Sequence, residues 1–242
     1  MIEDITAVLL VGGLGTRLRS AVPSLPKPLA PLGKTSFLEL LVRQLSHQGI
    51  RKLVFATGYL GDQIKRQFGD GHDLDVAIEY SIETEPLGTA GAIRLAKRYL
   101  AGTPDFIVMN GDSFLEINFH NIIQFHRERQ GIASLAVRRV LDTQRYGWVE
   151  VDQDRRVAGF AEKSGSTGPG LVNAGVYVFN RALFDCLPEG PASLEKDIFP
   201  QILNLGVFAM EQQGMFIDIG TPEDYARAQS VYDHLSRAAF QQ

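Results

Sequence analysis

Residues 8–28 read V-L-L-V-G-G-L-G-T-R-L-R-S-A-V-P-S-L-P-K-P, running from Val8 through Gly12, Gly13, Gly15, Thr16 and Arg17 to Pro26, Lys27 and Pro28. The apolar run at 5–11, with Leu10 and Val11 at its end, predicts a short buried strand, and the glycines after it let backbone N–H groups approach an anion closely. Together they predict a phosphate cradle at the end of a strand. Arg17 and Lys27 add two fixed cations, and the prolines on either side of Lys27 leave its backbone few conformations. A glycine loop, an Arg and a Pro-locked Lys suit a triphosphate that must lose pyrophosphate, because charge accumulates on the leaving oxygens. Two better-known phosphate motifs do not fit. Leu18 stands where the third glycine of the dinucleotide fingerprint G-x-G-x-x-G belongs. Gly33-Lys34-Thr35 ends like a Walker A loop, but Pro28 occupies the position of its first glycine, so these three residues read as a turn.

Working outward, the chain of 242 residues is 45% hydrophobic and 21% charged, long enough for one α/β domain spanning 1–242. With 24 Lys and Arg against 28 Asp and Glu, its net charge of −4 lacks the broad basic footprint of a nucleic-acid binder. Cys186 is the only cysteine, so no disulfide framework forms within the chain and a reducing compartment is the simplest home. No basic-then-apolar leader precedes the first strand and no apolar run nears the ~20 residues of a membrane span, so a cytoplasmic, membrane-free protein is expected. Ser36 can cap a helix carrying Phe37, Leu38, Leu40, Leu41 and Leu45 at helical spacing up to Gly49. Strands at 52–57 and 76–80 bracket a short helix at 63–68. This alternation predicts a Rossmann-like, mostly parallel mixed sheet flanked by helices, with ligands at the carboxyl ends of its strands.

Three further stretches carry chemistry. In Glu85-Pro86-Leu87-Gly88-Thr89-Ala90-Gly91, small residues let a flat ligand lie on the backbone, and the Glu85 carboxylate suits the paired N1–H and amine donors of guanine. On its residues alone the stretch reads equally as a helix N-terminus with an exposed Glu. The apolar strand 106–109 runs into Asn110-Gly111-Asp112, which puts a carboxylate on the same rim as the glycine loop, placed to hold Mg²⁺ against phosphate oxygens or to cap the next turn. Asp218 follows a strand at 214–217, ahead of Thr221 and Pro222, which cap and start a last helix to 239. A helix at 118–130 is followed by strands at 133–140, 148–151 and 156–162, closer to antiparallel β than to β-α-β. They predict a small antiparallel subregion at about 138–175. Ser193 caps a helix opening at 193–197. The loop 164–170, rich in Gly and Ser, is expected to close over substrate. The five histidines are scattered, with no zinc-ligand spacing, and neither a Ser–His–Asp set nor a Cys–His pair is present.

G-G-x-G-T-R-L at 12–18 followed by P-K-P at 26–28 resembles the signature of the sugar-1-phosphate nucleotidylyltransferases. The resemblance covers nearly the whole chain. E-P-L-G-T-A-G resembles the base-recognition segment of the guanylyltransferases that make GDP-mannose or GDP-heptose, and S-x-E-x-D at 193–197 resembles their guanylyl branch. The resemblance implies a nucleotide site of Leu10, Gly12, Gly13, Gly15, Thr16, Glu85, Pro86, Gly88, Thr89, Asn110 and Gly111. It implies Arg17 and Lys27 as catalytic cations, and Mg²⁺ held by Asp112 and Asp218. It implies that the antiparallel subregion at about 138–175 is sugar-binding, and for the sugar phosphate it implies Gly147, Glu162, Lys163, Asn173 and Gly175; without the resemblance, Lys163 reads as a solvated surface lysine. The implied reaction is guanylyl transfer from GTP to a sugar 1-phosphate, a heptose 1-phosphate ahead of mannose 1-phosphate, for a polysaccharide such as capsule or an S-layer glycan. A homodimer stays open. A subunit that keeps the fold to sense nucleotide sugars is the rival of another class. Two departures stand out: the interval from Arg17 to Lys27 lacks the usual P-L-T, and no C-terminal β-helix follows, which argues against the larger bifunctional relatives.

Overall fold

The computed structural model describes residues 4–13, 15–143, 148–161 and 168–240. Strand β1 (Thr6–Leu10) leads into the glycine loop, and a short hairpin of β2 (Pro31–Leu32) and β3 (Thr35–Ser36) leads into α1 (Phe37–His47). Then come β4 (Lys52–Thr57), α2 (Gly61–Phe68), β5 (Ala77–Ile82), α3 (Gly88–Ala96), β6 (Asp105–Asn110), β7 (Ser113–Leu115) and α4 (Phe119–Arg129). The rest comprises β8 (Ala133–Val140), β9 (Trp148–Val151), β10 (Val157–Ala161), β11 (Gly170–Asn180), α5 (Phe199–Ile202), β12 (Val207–Gln212), β13 (Phe216–Asp218), α6 (Pro222–Ser230) and α7 (Tyr232–Phe240).

The expected mixed sheet with flanking helices is present. β5, β4, β1 and β6 lie side by side and parallel, and β11 adds antiparallel to β6. Beyond it, β11 pairs with β8 and β9, β9 with β10, and β12 joins β8 in parallel, giving nine strands among the described residues. A separate pair, β7 with β13, brings Ser113 opposite Asp218. Period-two alternation on strands covered by helices explains the runs of Val, Leu and Ile. Ala7 and Leu9 enter the apolar layer under α1, whereas Val8 enters the layer under α3. Each fully buried Val, Leu or Phe there contributes about 1.5–3 kcal/mol.

Ser36 caps α1 as its sequence predicts, its Oγ accepting the Glu39 N–H at 3.3 Å, and Thr221 does the same for α6. Two expectations change. The last helix is broken: Val231 leaves helical geometry at φ −111° and ψ 16°, so α7 packs beside α1, with the Tyr232 ring against Gly33. The turn after Ser193 is a π-helical one, Leu194–Ile198. No helix among the described residues is long and apolar enough to cross a membrane.

Candidate active site

β1, β4 and β6 end on one rim, and two adjoining cavities open there. One, of 580 Å³, is walled by Leu10, Gly12, Gly13, Glu85, Pro86, Gly88, Thr89, Asn110 and Asp112, with Tyr59 and Glu83 beside them. The other, of 300 Å³, is walled by Leu10, Gly13, Gly15, Thr16, Arg17, Lys27, Gly111, Asp112 and Gly220. Every residue expected to bind nucleotide therefore borders one cavity or the other, and Asp112 borders both. Gly15 sits at φ +58°, and a Cβ on it would lie 2.9 Å from Lys27 Cβ, so the loop closes on the lysine stem only with glycine there.

The two acidic residues converge. Ser113 Oγ lies 3.3 Å from Asp112 Oδ1 and 3.2 Å from Asp218 Oδ2, so one hydroxyl reaches both carboxylates. The Ile219 N–H donates to the Asp112 carbonyl at 2.9 Å, which ties the two chain segments together, and the Gly220 N–H donates to Asp218 Oδ1 within its own turn. Burial, and then the Asp112 charge beside it, push the Asp218 carboxyl above the usual carboxylate range, with Lys27 opposing. Lys27 is itself buried and its Nζ meets Asp112 Oδ2 at 2.6 Å. Two adjacent carboxylates, one raised by the other, form an oxygen donor set that a hard divalent cation suits, with phosphate oxygens completing its shell. No cluster of three or more metal-ligating side chains occurs among the described residues, so these residues alone do not make a full cage. Arg17 is exposed at the mouth of the second cavity.

Gly175 and Asn173 lie on β11 next to this rim, where a register shift bulges the strand between Asn173 and Tyr177. Gly175 is at φ +74°, and a Cβ on it would sit 2.8 Å from Asn110 Nδ2, so glycine brings β11 against the nucleotide rim. Asn173 is half-buried and already bonded: its Nδ2 donates to the Tyr177 hydroxyl at 2.8 Å and its Oδ1 accepts the Gly175 N–H at 3.0 Å. Gly147, Glu162 and Lys163 lie outside the described residues.

Some of the site escapes sequence reasoning. Glu83, two residues before the expected acceptor Glu85, is a half-buried carboxylate of the larger cavity, whereas Glu85 is exposed. Glu83 Oε2 accepts the Leu87 N–H at 3.0 Å, and Oε1 lies 3.1 Å from where a side chain on Gly12 would begin. Burial raises its carboxyl above the usual range, opposed by that backbone bond. The only signal in the sequence is its place at the end of a strand. Ser113 is likewise hidden, since its importance rests on β7 pairing with β13.

A glycine-lined cavity at the carboxyl ends of parallel strands, flanked by two cations and two convergent carboxylates, is an arrangement chemically suited to a phosphorylated ligand. The chain belongs to the nucleotidyl transferase family, whose model matches residues 6–234. It is 38% identical over 231 residues to D-glycero-alpha-D-manno-heptose 1-phosphate guanylyltransferase of Aneurinibacillus thermoaerophilus, covering 94% of this chain and 98% of that one. It is 35% identical over 229 residues to mannose-1-phosphate guanylyltransferase of Mycobacterium tuberculosis, covering 93% of this chain but 64% of that longer one. Among solved structures, HddC from Yersinia pseudotuberculosis superposes with a TM-score of 0.85 at 33% identity, covering 94% of this chain and 99% of that one. HddC has also been solved complexed with GMP-PN.

Proposed function

We propose that the protein is a sugar-1-phosphate guanylyltransferase, which joins GTP and a sugar 1-phosphate to give a GDP-sugar and pyrophosphate, with a manno-heptose 1-phosphate as the favoured acceptor. The observation that carries this reading is the convergence of Asp112 and Asp218 on one hydroxyl beside the glycine loop. A sugar 1-phosphate has a second pKa near ~6, so at neutral pH its oxygen is already an anionic nucleophile and needs no general base. That oxygen forms a bond to the α-phosphorus of GTP as the bond to the bridging β-phosphate oxygen breaks, and the electron pair leaves with pyrophosphate. The chain's work is to hold the two anions in line and neutralise them. Arg17 and Lys27 border the cavity in which the leaving phosphates would rest. Lys163 would neutralise the incoming phosphate. Asp112 and Asp218 would hold Mg²⁺, which when bound neutralises phosphate oxygens and polarises the phosphorus under attack.

For the base, Glu83 and Glu85 both border the larger cavity, and a carboxylate there fits the two adjacent donors of guanine better than the single N–H of uracil. Heptose rests on 38% and 37% identity to two relatives bearing the heptose name, and mannose, the second reading, on 35% identity to the mannose enzyme of Mycobacterium tuberculosis. A pyrophosphate-release assay of four nucleoside triphosphates against mannose and heptose 1-phosphates tests the reading. Turnover with GTP and heptose 1-phosphate is the expected result. Turnover with mannose 1-phosphate alone would move the substrate to the second reading, and no turnover with any pair would favour a sensing subunit.

A further inference from the structure

Below the cleft, side chains far apart in sequence form one directed chain of hydrogen bonds. Tyr177 is 0% exposed, so its hydroxyl touches no ligand. It accepts from Asn173 Nδ2 at 2.8 Å, and its own proton faces Glu195 Oε1, 3.4 Å away. Glu195 Oε2 accepts from Ser193 Oγ at 2.9 Å and from Thr89 Oγ1 at 3.2 Å, while Thr89 Oγ1 accepts the Leu194 N–H at 2.7 Å. An ionised carboxylate only accepts, so the direction of every bond above it is set: Tyr177 donates to Glu195 and takes its own donor from an amide nitrogen. At the near end the Gly175 N–H requires an oxygen, which Asn173 Oδ1 supplies at 3.0 Å. The two ends of the Asn173 amide are therefore distinguished. One N–H and one lone pair are used inside the protein, and one of each remains at the half-buried residue next to the nucleotide rim. Residues four apart in a regular strand stand ~13 Å apart, so only the bulge in β11 lets Asn173 and Tyr177 meet.

We propose that Tyr177 and Glu195 are positioning residues for the sugar phosphate: they lock the Asn173 amide in one of its two orientations, presenting a donor and an acceptor to neighbouring sugar hydroxyls. Thr89, which borders the nucleotide cavity, ties that setting to the other half of the cleft. The proposal rests on the reading of Asn173 as a sugar ligand. Burial, and then the Glu195 charge, hold the Tyr177 hydroxyl well above the ordinary phenol range, so it keeps the proton it donates.

Steady-state kinetics on the whole chain, with GTP and whichever sugar 1-phosphate turns over, test it. Tyr177→Phe is expected to raise the KM for the sugar phosphate about tenfold, with the KM for GTP and kcat changing less than about threefold. Asn173→Ala sets the scale. If it leaves the sugar KM unchanged, the sugar-ligand reading fails and takes this proposal with it. If it raises that KM while Tyr177→Phe does not, the orienting chain alone is overturned. The double variant is expected to match Asn173→Ala, because Tyr177 acts through that amide; additive losses would overturn the proposal. Glu195→Gln offers a donor where only an acceptor stood, and the same selective rise in sugar KM is expected. That variant carries the test should Tyr177→Phe fail to fold.

Discussion

Asp112 and Asp218 are each only one carboxylate, but Asp112 adds to the cost of keeping the buried Asp218 charged, and Lys27, paired with Asp112, offsets that cost. Replacing either by Asn keeps its size and removes the charge a divalent cation requires. Asp112→Asn and Asp218→Asn are each expected to lower kcat by about 10²–10³-fold with circular dichroism unchanged. Loss of less than tenfold would remove that residue from the metal site. The two glutamates at the larger cavity separate by the same reasoning. Glu83 is half-buried and Glu85 is exposed, so Glu83→Gln is expected to raise the KM for GTP about tenfold and Glu85→Gln less than threefold. An inverted order would return the base contact to Glu85.

At the scale of elements, α4 is joined to the sheet through a titratable group. His126 is buried, with Nδ1 3.0 Å from Ser134 Oγ on β8 and Nε2 3.7 Å from Asp105 Oδ1 on β6, and Arg127 Nε donates to that same carboxylate at 3.1 Å. Burial lowers its pKa first and Arg127 adds to this, with Asp105 opposing. The folded state thus takes up a proton at lower pH than the unfolded chain, whose histidine titrates near ~6.5. Stability from this group is complete above ~6.5 and is lost as pH falls towards the folded pKa, by about 1.4 kcal/mol for each unit of difference. Urea unfolding at pH 7.5 and 5.5 is expected to show a smaller loss for His126→Asn than for the native chain; equal losses would refute it. The elements themselves were legible where their signals are local. Ser36, Thr221 and the apolar run through Val8 and Leu9 each speak within a few residues. The break at Val231 was not, because it is set by Tyr232 meeting Gly33 nearly 200 positions away, and the Asn173–Tyr177 contact was not, because it needs a bulge that the sequence marks only by Gly175.

For the whole molecule, the reactive rim lies on a seam. The parallel half, β5, β4, β1 and β6, carries the glycine loop, Glu83 and Asp112, while β11 opens the antiparallel half with Asn173 and Gly175. The glycine loop made the first half readable from a single stretch. The second half depends on pairings between distant strands, and Gly147, Glu162 and Lys163 were assigned there through resemblance alone. If GTP occupies one half and the sugar phosphate the other, the two ligands should protect different strands from hydrogen exchange. GTP with Mg²⁺ at about 100 times its Kd stabilises the folded state by ~2.7 kcal/mol, and protection is expected first at residues 8–13, 56–59 and 83–89. Adding the sugar phosphate should extend it to 148–151 and 170–175. Protection of that second set by GTP alone would mean that the nucleotide spans the seam, and the division of the rim between two substrates would have to be given up.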